Sequence, residues 1–105
     1  PDAQKKTFRM ADGARATIVR SVSLNQAVIT VEGMADLPDG KVYELWLQHG
    51  DKMVAAGFLP SGSDDTVLLT GDAASASAVG ITAEPEGGSP EPTLSTAVLL
   101  PFDEA

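Results

Sequence analysis

Residues 41–59 read KVYELWLQHGDKMVAAGFL and hold the only Trp, the only Tyr and the only His of the chain. Residues 42–48 are aromatic and aliphatic and lie between two turn-forming stretches, which is typical of a β-strand. Residues 53–59 are the expected return strand. Gly50-Asp51 between the two supplies the residue types that a tight hairpin turn requires. This segment therefore predicts a β-hairpin around which the rest of the chain is arranged.

The first strand of this hairpin has two distinct faces. Side chains alternate between the faces of a strand, so Tyr43, Leu45 and Leu47 point one way and Trp46 points the other, together with its even-numbered neighbours. The odd-numbered set is hydrophobic apart from the Tyr hydroxyl, and we expect it to face the core. Trp46 is then expected on the opposite face, partly covered by a neighbouring loop or strand.

The rest of the chain alternates short apolar runs with turn-forming residues. Further strands are predicted at residues 7–10, 14–22, 27–33, 66–70, 78–84 and 94–100. Residues 1–6 are a polar lead-in. Residues 71–77 are the one helix candidate, a single turn with Asp72 as its N-cap. Short, evenly spaced strands predict an all-β fold, an antiparallel β-sandwich of about seven or eight short strands with at most one short helical turn.

Composition limits the size and the partners of the protein. With 105 residues the chain is predicted to form one domain, residues 1–105. The net charge is −8, and all seven Lys and Arg residues lie at or before Lys52. The chain therefore lacks a basic track for phosphates, which argues against nucleic-acid binding and against an anionic membrane surface as partner.

Metal-binding and catalytic patterns are weak. The absence of Cys excludes disulfides, thiolate zinc sites and a Cys nucleophile. His49 with a Met residue would suit copper, and the acidic loop residues around Asp72 and Glu84 would suit calcium, but neither set has a recognised ligand spacing. Gly-x-Ser-x-Gly is absent. We therefore predict neither an enzyme nor a cofactor.

Three segments in order resemble the extracytoplasmic domain of the anti-sigma-K factor family (RskA-like). They are YELWL at residues 43–47, AGF at residues 56–58 and ITAEPEGGSPEPT at residues 81–93. The positions that match the family pattern are Tyr43, Leu45, Trp46, Leu47, Ala56, Gly57, Phe58, Glu84, Pro85, Gly87, Gly88, Ser89, Pro92 and Thr93. The similarity covers residues 33–100. Glu86 and Leu94-Ser95 depart from the pattern.

The resemblance implies a longer, single-pass protein of the cell membrane. Its cytoplasmic domain would hold a sigma factor inactive, and this domain would lie outside as a sensory or shielding part, with residues 1–6 as the linker from the transmembrane helix. A site-1 protease and then an intramembrane protease would release the sigma factor and so control transcription. The family brings no catalytic residues, cofactor or metal ion. The alternative is a secreted β-sandwich that binds carbohydrate or metal.

The loop at residues 84–93 is the segment whose structure we expect to matter most. Gly87-Gly88 permits backbone conformations that other residues avoid, and Glu84 can accept hydrogen bonds from backbone N–H groups. We expect this loop to fold back near Trp46 and to fix the position of its ring.

Overall fold

The computed structural model describes residues 3–10, 13–34, 37, 39–59, 65–93 and 97–102, and this part of the chain is all-β. Its strands are β1 (Gln4–Arg9), β2 (Arg15–Ser21), β3 (Gln26–Glu32), β4 (Lys41–His49), β5 (Lys52–Leu59), β6 (Asp65–Leu68), β7 (Ala78–Pro85) and β8 (Val98–Pro101). Each predicted strand overlaps one of them.

The strands form two four-stranded antiparallel sheets. The order is β1-β2-β3-β6 in the first sheet and β5-β4-β7-β8 in the second. The central hairpin is present, because β4 pairs with β5 and His49 lies opposite Lys52, which leaves Gly50-Asp51 as a two-residue turn. The predicted antiparallel β-sandwich is therefore confirmed.

The core lies between the sheets and is built from alternate residues of the central strands. Ile18, Ile29 and Val31 face inward from the first sheet, and Leu45 and Leu47 face inward from the second, each at most 1% exposed. Tyr43 is partly buried and packs against the same cluster. The predicted inward face of β4 is therefore confirmed. Burial of such side chains is the main source of stability in a domain of this size.

Two boundaries differ from expectation. β1 begins at Gln4 rather than at residue 7, because Gln4, Lys5 and Lys6 continue the ladder with β2. Residues 4–6 therefore belong to the sheet and not to the lead-in. Residues 94–96 of the predicted last strand lie outside the described residues, and β8 begins at Val98.

The predicted helical turn is a hydrogen-bonded turn and not a helix. The carboxylate of Asp72 accepts a bond from the backbone N–H of Ser75 (3.3 Å), as an N-cap would. The backbone N–H of Ala76 bonds to the carbonyl of Ala73 (3.3 Å), and the chain then enters β7 at Ala78.

One end of the sandwich is closed by a buried arginine. Arg20, at the end of β2, is 6% exposed and donates from Nη1 to the carbonyl oxygens of Ala76 (2.8 Å) and Ala73 (3.4 Å). Its guanidinium lies over the ring of Phe102, 4.2 Å from the ring centroid. Arg20 thus ties the first sheet to the segment that leads into β7 and to the residue that follows β8.

Candidate functional site

The outer face of the second sheet carries four buried side chains that a solvent-facing sheet would expose. Glu44 and Trp46 lie on this face of β4, and Thr82 and Glu84 lie beside them on β7; all four are at most 2% exposed. We call them the outer-face network. Residues 86–93, which follow β7 and which we call the strap, bond to two of them, Glu44 and Glu84. The expectation that Trp46 is only partly covered is wrong, because its exposed fraction is 1%.

A line of hydrogen bonds runs from the Trp46 ring to the end of the strap. Trp46 Nε1 donates to Thr82 Oγ1 (2.9 Å), and that hydroxyl donates to Glu84 Oε2 (2.6 Å). The backbone N–H of Thr93 then donates to Glu84 Oε2 (2.7 Å), and the Thr93 hydroxyl donates to Glu84 Oε1 (2.6 Å). The strap is therefore held near Trp46 through Thr82 and Glu84. Glu84 accepts a backbone N–H bond, as predicted.

The middle of the strap is held by the second buried carboxylate. Glu44 Oε1 accepts a hydrogen bond from the backbone N–H of Ser89 (3.0 Å). Next to it, Gly88 has a φ of +83°, and a Cβ at this position would lie 2.8 Å from Phe58 Cζ and 3.0 Å from Glu44 Oε1. Only glycine combines this backbone conformation with such a close approach. Residue 88 thus lets the strap lie directly on the sheet.

The start of the strap is a tight turn that is bonded to the chain before β4. The backbone N–H of Gly88 donates to the Pro85 carbonyl (2.9 Å), and that of Glu86 donates to the Gly40 carbonyl (2.8 Å). The strap is therefore attached at its start, its middle and its end, and two of these attachments are to buried carboxylates.

Ionised Glu84 is stabilised by hydrogen bonds from Thr82 of β7 and from Thr93 of the strap. Burial raises the pKa of Glu84, but hydrogen bonds from the Thr82 hydroxyl and from the hydroxyl and backbone N–H of Thr93 outweigh burial and lower the pKa from 4.5 to about 2. A carboxylate that accepts several hydrogen bonds is favoured in its charged form. Glu84 therefore remains ionised throughout the neutral pH range.

A β-bulge in β5 gives the Ala-Gly-Phe segment its shape. Leu45 of β4 lies opposite Gly57 while Trp46 lies opposite Ala55, so Ala56 is the extra residue. Gly57 has a φ of +149°, and a Cβ there would touch Val67 and Leu45. The bulge keeps Ala56 in the core and still turns Phe58 toward the strap, where its ring lies against Gly88.

The described residues contain no group of three or more His, Cys, Asp or Glu side chains that could hold a metal ion. His49 Nδ1 lies 3.4 Å from Ser75 Oγ, and that hydroxyl donates to Asp72 (2.5 Å). The hydrogen bonds from Ser75 lower the pKa of Asp72. Since the Ser hydroxyl is directed to the carboxylate and not to the imidazole, the trio lacks the Ser–His–acid order of a nucleophilic triad.

Comparison with known families identifies the chain. A family model described as the C-terminal part of the anti-sigma-K factor RskA matches residues 2–98. The chain belongs to this family. The resemblance inferred from the three sequence segments is therefore confirmed. Across the part of the chain that the structure describes, no helix combines the length and the apolar character needed to cross a bilayer.

Relatives of this anti-sigma-K family member are longer proteins. A Streptomyces griseus protein named "Uncharacterized protein in phr 5′ region" is 45% identical over 106 residues, which are 100% of this chain and 44% of that protein. Anti-sigma-K factor RskA of Mycobacterium sp. (strain KMS) is 31% identical over 104 residues, covering 97% and 43%. RskA of Mycobacterium tuberculosis (strain ATCC 25177 / H37Ra) is 32% identical over 109 residues, covering 97% and 45%. This chain thus spans less than half the length of these relatives. No solved structure is a significant match.

The family-pattern residues fall into two groups in space. Those that face the core are Tyr43, Leu45, Leu47, Ala56 and Gly57. Those that form or contact the strap are Phe58, Glu84, Pro85, Gly87, Gly88, Ser89, Pro92 and Thr93. Trp46 is linked to the strap through Thr82 and Glu84. The strap itself is therefore the element that the third sequence segment encodes.

Sequence reasoning missed two members of the outer-face network. Glu44 was placed on the face of Trp46 but was given no partner, and Thr82 was not singled out. A signal for both exists, because alternation places Glu44 with Trp46 and places Thr82 with Glu84. Alternation along one strand does not predict the register between β4 and β7, which places Glu44 opposite Thr82.

Proposed function

We propose that this chain is the extracytoplasmic regulatory domain of a membrane-anchored anti-sigma factor. The family match over residues 2–98 is the observation that carries the proposal. In the intact protein, a cytoplasmic domain that is separate from this chain binds the sigma factor. A single transmembrane helix precedes β1, and the linker between them ends before Gln4. The domain itself is not an enzyme.

The architecture of the outer face is suited to a shielding role. A shield against proteolysis needs a closed fold whose irregular segments are held down, because proteases bind extended, unpaired backbone. Residues 86–93 are the segment that must be held here, since two Gly and two Pro exclude a regular strand. Glu44 and Glu84 hold it through hydrogen bonds to backbone N–H groups. A signal that loosens the strap would expose the domain to a site-1 protease, and an intramembrane protease would then release the sigma factor.

The partner is tested by affinity purification of the intact, tagged membrane protein, with mass spectrometry of the co-purifying proteins. A sigma factor is expected with the full-length protein and absent with residues 1–105 alone. Absence of a sigma factor from the full-length sample contradicts the proposal. Recovery with residues 1–105 contradicts the assignment of this part as the external domain.

The shielding role is tested in cells with a reporter for the recovered sigma factor. Trp46→Ala in the intact protein is expected to raise reporter transcription and to shorten the lifetime of the protein. Leu24→Ala is the control, because Leu24 lies in the turn between β2 and β3 of the other sheet and is 68% exposed. Equal reporter activity in the two variants would argue against shielding by the strap.

The alternative function is ligand binding. An open cleft of about 560 Å³ between β5 and the strap is lined by Glu44, Phe58 and Pro90, among others, and offers a place for a small molecule. A ligand bound there would stabilise the folded state by an amount that grows with the logarithm of its concentration above its Kd. A rise of several degrees in melting temperature with a sugar, calcium or copper, lost in Phe58→Ala, would favour this alternative.

A further inference from the structure

Met53 occupies an unusual position on the outer face of the second sheet. A Cβ on Gly80 of β7 would lie 2.5 Å from Met53 Cε, 3.5 Å from Trp46 Cβ and 3.5 Å from a Leu99 methyl group. The Met53 methyl group therefore lies across β7 in the space that a side chain at position 80 would fill, close to Trp46. In contrast, Met10 and Met34 pack against the main core between the sheets.

Met53 also lines an open cleft under the strap. This cleft has a volume of about 480 Å³ and is lined by residues 51–54 of the hairpin and by Pro90, Glu91 and Pro92 of the strap. Met53 is partly buried, so its thioether is in contact with the protein and still within reach of small solutes that enter the cleft. Its position thus combines access with a role in packing between sheet and strap.

We propose that Met53 is an oxidation site at which a peroxide converts the thioether to the sulfoxide and thereby loosens the strap. A sulfur lone pair attacks one peroxide oxygen, the O–O bond breaks, and the second oxygen leaves as water after taking up the proton of the first. The sulfur loses two electrons and the peroxide gains them. The chain contains no Cys to compete for the oxidant, which leaves methionine as its most readily oxidised side chain.

The sulfoxide changes the packing under the strap. It converts a flexible apolar side chain into a polar, chiral one, and the new oxygen requires a hydrogen-bond partner or water. The surroundings of the Met53 methyl group are the Gly80 backbone, Leu99 and Trp46, which favour an apolar group. The polar side chain is therefore displaced toward the cleft, where Pro90 and Pro92 lie. The strap must then move away from the sheet to make room for it. The inference concerns residues of this chain alone and needs no sigma factor for its test.

The test treats purified chain with hydrogen peroxide and locates sulfoxides by peptide mass spectrometry. Strap release is followed by the emission of Trp46, the single Trp, and by cleavage with proteinase K within residues 86–93. Two variants isolate the site. The double variant Met10→Leu with Met34→Leu retains only Met53, and Met53→Leu retains the other two.

In the double variant, peroxide is expected to shift the Trp46 emission and to raise the rate of strap cleavage by about tenfold. The cost of burying a polar group raises the population of the open strap by about this factor, and the protease cleaves the open form. Met53→Leu is expected to show neither change. Met53→Gln, which places a polar group at the same site, is expected to raise cleavage without oxidant. Treatment with methionine sulfoxide reductases of both specificities is expected to reverse the effect of peroxide.

Three results would overturn the proposal. They are an equal response to peroxide in Met53→Leu and in unsubstituted chain, Met53 sulfoxide without any change in emission or cleavage, and oxidation of Met10 and Met34 under conditions that leave Met53 intact. None of them bears on sigma-factor binding, so failure here is distinguishable from failure of the proposed function.

Discussion

Thr82 is a small side chain that orients two larger ones. Its hydroxyl has a single proton, which it donates to Glu84, and its oxygen is then free to accept from the Trp46 ring. Both bonds are buried, so neither group can exchange its partner for water without opening the strap. At the scale of single residues, the outer face is thus a chain of donors and acceptors in one direction, from indole to carboxylate.

Trp46→Ala is expected to lower the free energy of unfolding by roughly 3 kcal/mol or more, because it removes a fully buried ring and leaves a cavity. Urea denaturation followed by circular dichroism measures the loss. Val54→Ala on β5 is the control and should lose less than about 1 kcal/mol, since Val54 is half exposed. A loss under about 1 kcal/mol for Trp46→Ala would refute the conclusion that the ring supports the strap.

Glu84 is expected to make the free energy of unfolding depend on pH in the acidic range. Its pKa is about 2 in the folded protein and about 4.5 when unfolded, so the ionised form favours folding. This contribution is complete above about pH 4.5, is lost as the pH falls toward 2, and amounts to at most about 3 kcal/mol. Glu84→Gln is expected to be less stable at pH 7 and to lose less stability between pH 4.5 and 2. Parallel pH profiles for the two proteins would contradict this assignment.

At the scale of elements, the strap depends on where its glycines lie. Gly87 and Gly88 both have positive φ, but a Cβ on Gly87 would meet open space whereas one on Gly88 would meet Phe58 and Glu44. A substitution at residue 87 therefore tests backbone strain alone, whereas a substitution at residue 88 tests strain together with steric contact. They form a matched pair within a single turn.

Gly88→Ala is expected to destabilise the protein more than Gly87→Ala does. Each substitution places a Cβ at positive φ, which costs about 1 kcal/mol, and Gly88→Ala adds a clash that must displace Phe58 or the carboxylate of Glu44. Thermal and urea unfolding of both variants measure the difference. A larger loss for Gly87→Ala would show that the strap does not lie on the sheet at residue 88.

At the scale of the whole molecule, the two sheets are joined at one end by Arg20. Its guanidinium donates to the carbonyl oxygens of Ala73 and Ala76 and lies over the Phe102 ring. Several hydrogen-bond acceptors and an aromatic face thus replace the water that would surround this cation in solution. Arg20 therefore connects β2 both to the segment before β7 and to the residue after β8.

Arg20→Met is expected to destabilise the protein by about 2 kcal/mol or more, because the buried Ala76 carbonyl loses the Arg20 donor and the Ala73 carbonyl loses one of its two donors, while the aliphatic part of the side chain is kept. Arg20→Lys should fall between this variant and the unsubstituted protein, since Lys retains the charge without the planar group that lies on Phe102. Urea midpoints compare the three. Unchanged stability in Arg20→Met would show that the sheets are not joined there.

Much of the fold follows from the amino-acid pattern alone. The alternation in β4 determines that Tyr43, Leu45 and Leu47 face the core, and turn residues at regular intervals determine an antiparallel sandwich. The three sequence segments also determine the family. These features are local in sequence, or depend on alternation along one strand, and they need no knowledge of distant contacts.

Only the tertiary structure decided that the opposite face of β4 is buried. Alternation indicates on which face Glu44 and Trp46 lie, but not what covers that face. The cover comes from residues 86–93, whose Ser89 is 45 positions from Glu44. Its placement depends on the pairing of β4 with β7 and on a close approach at Gly88. The same holds for Arg20 and Met53, because their partners are distant in the sequence. Contacts of this kind arise from packing between elements, which no single stretch of sequence encodes.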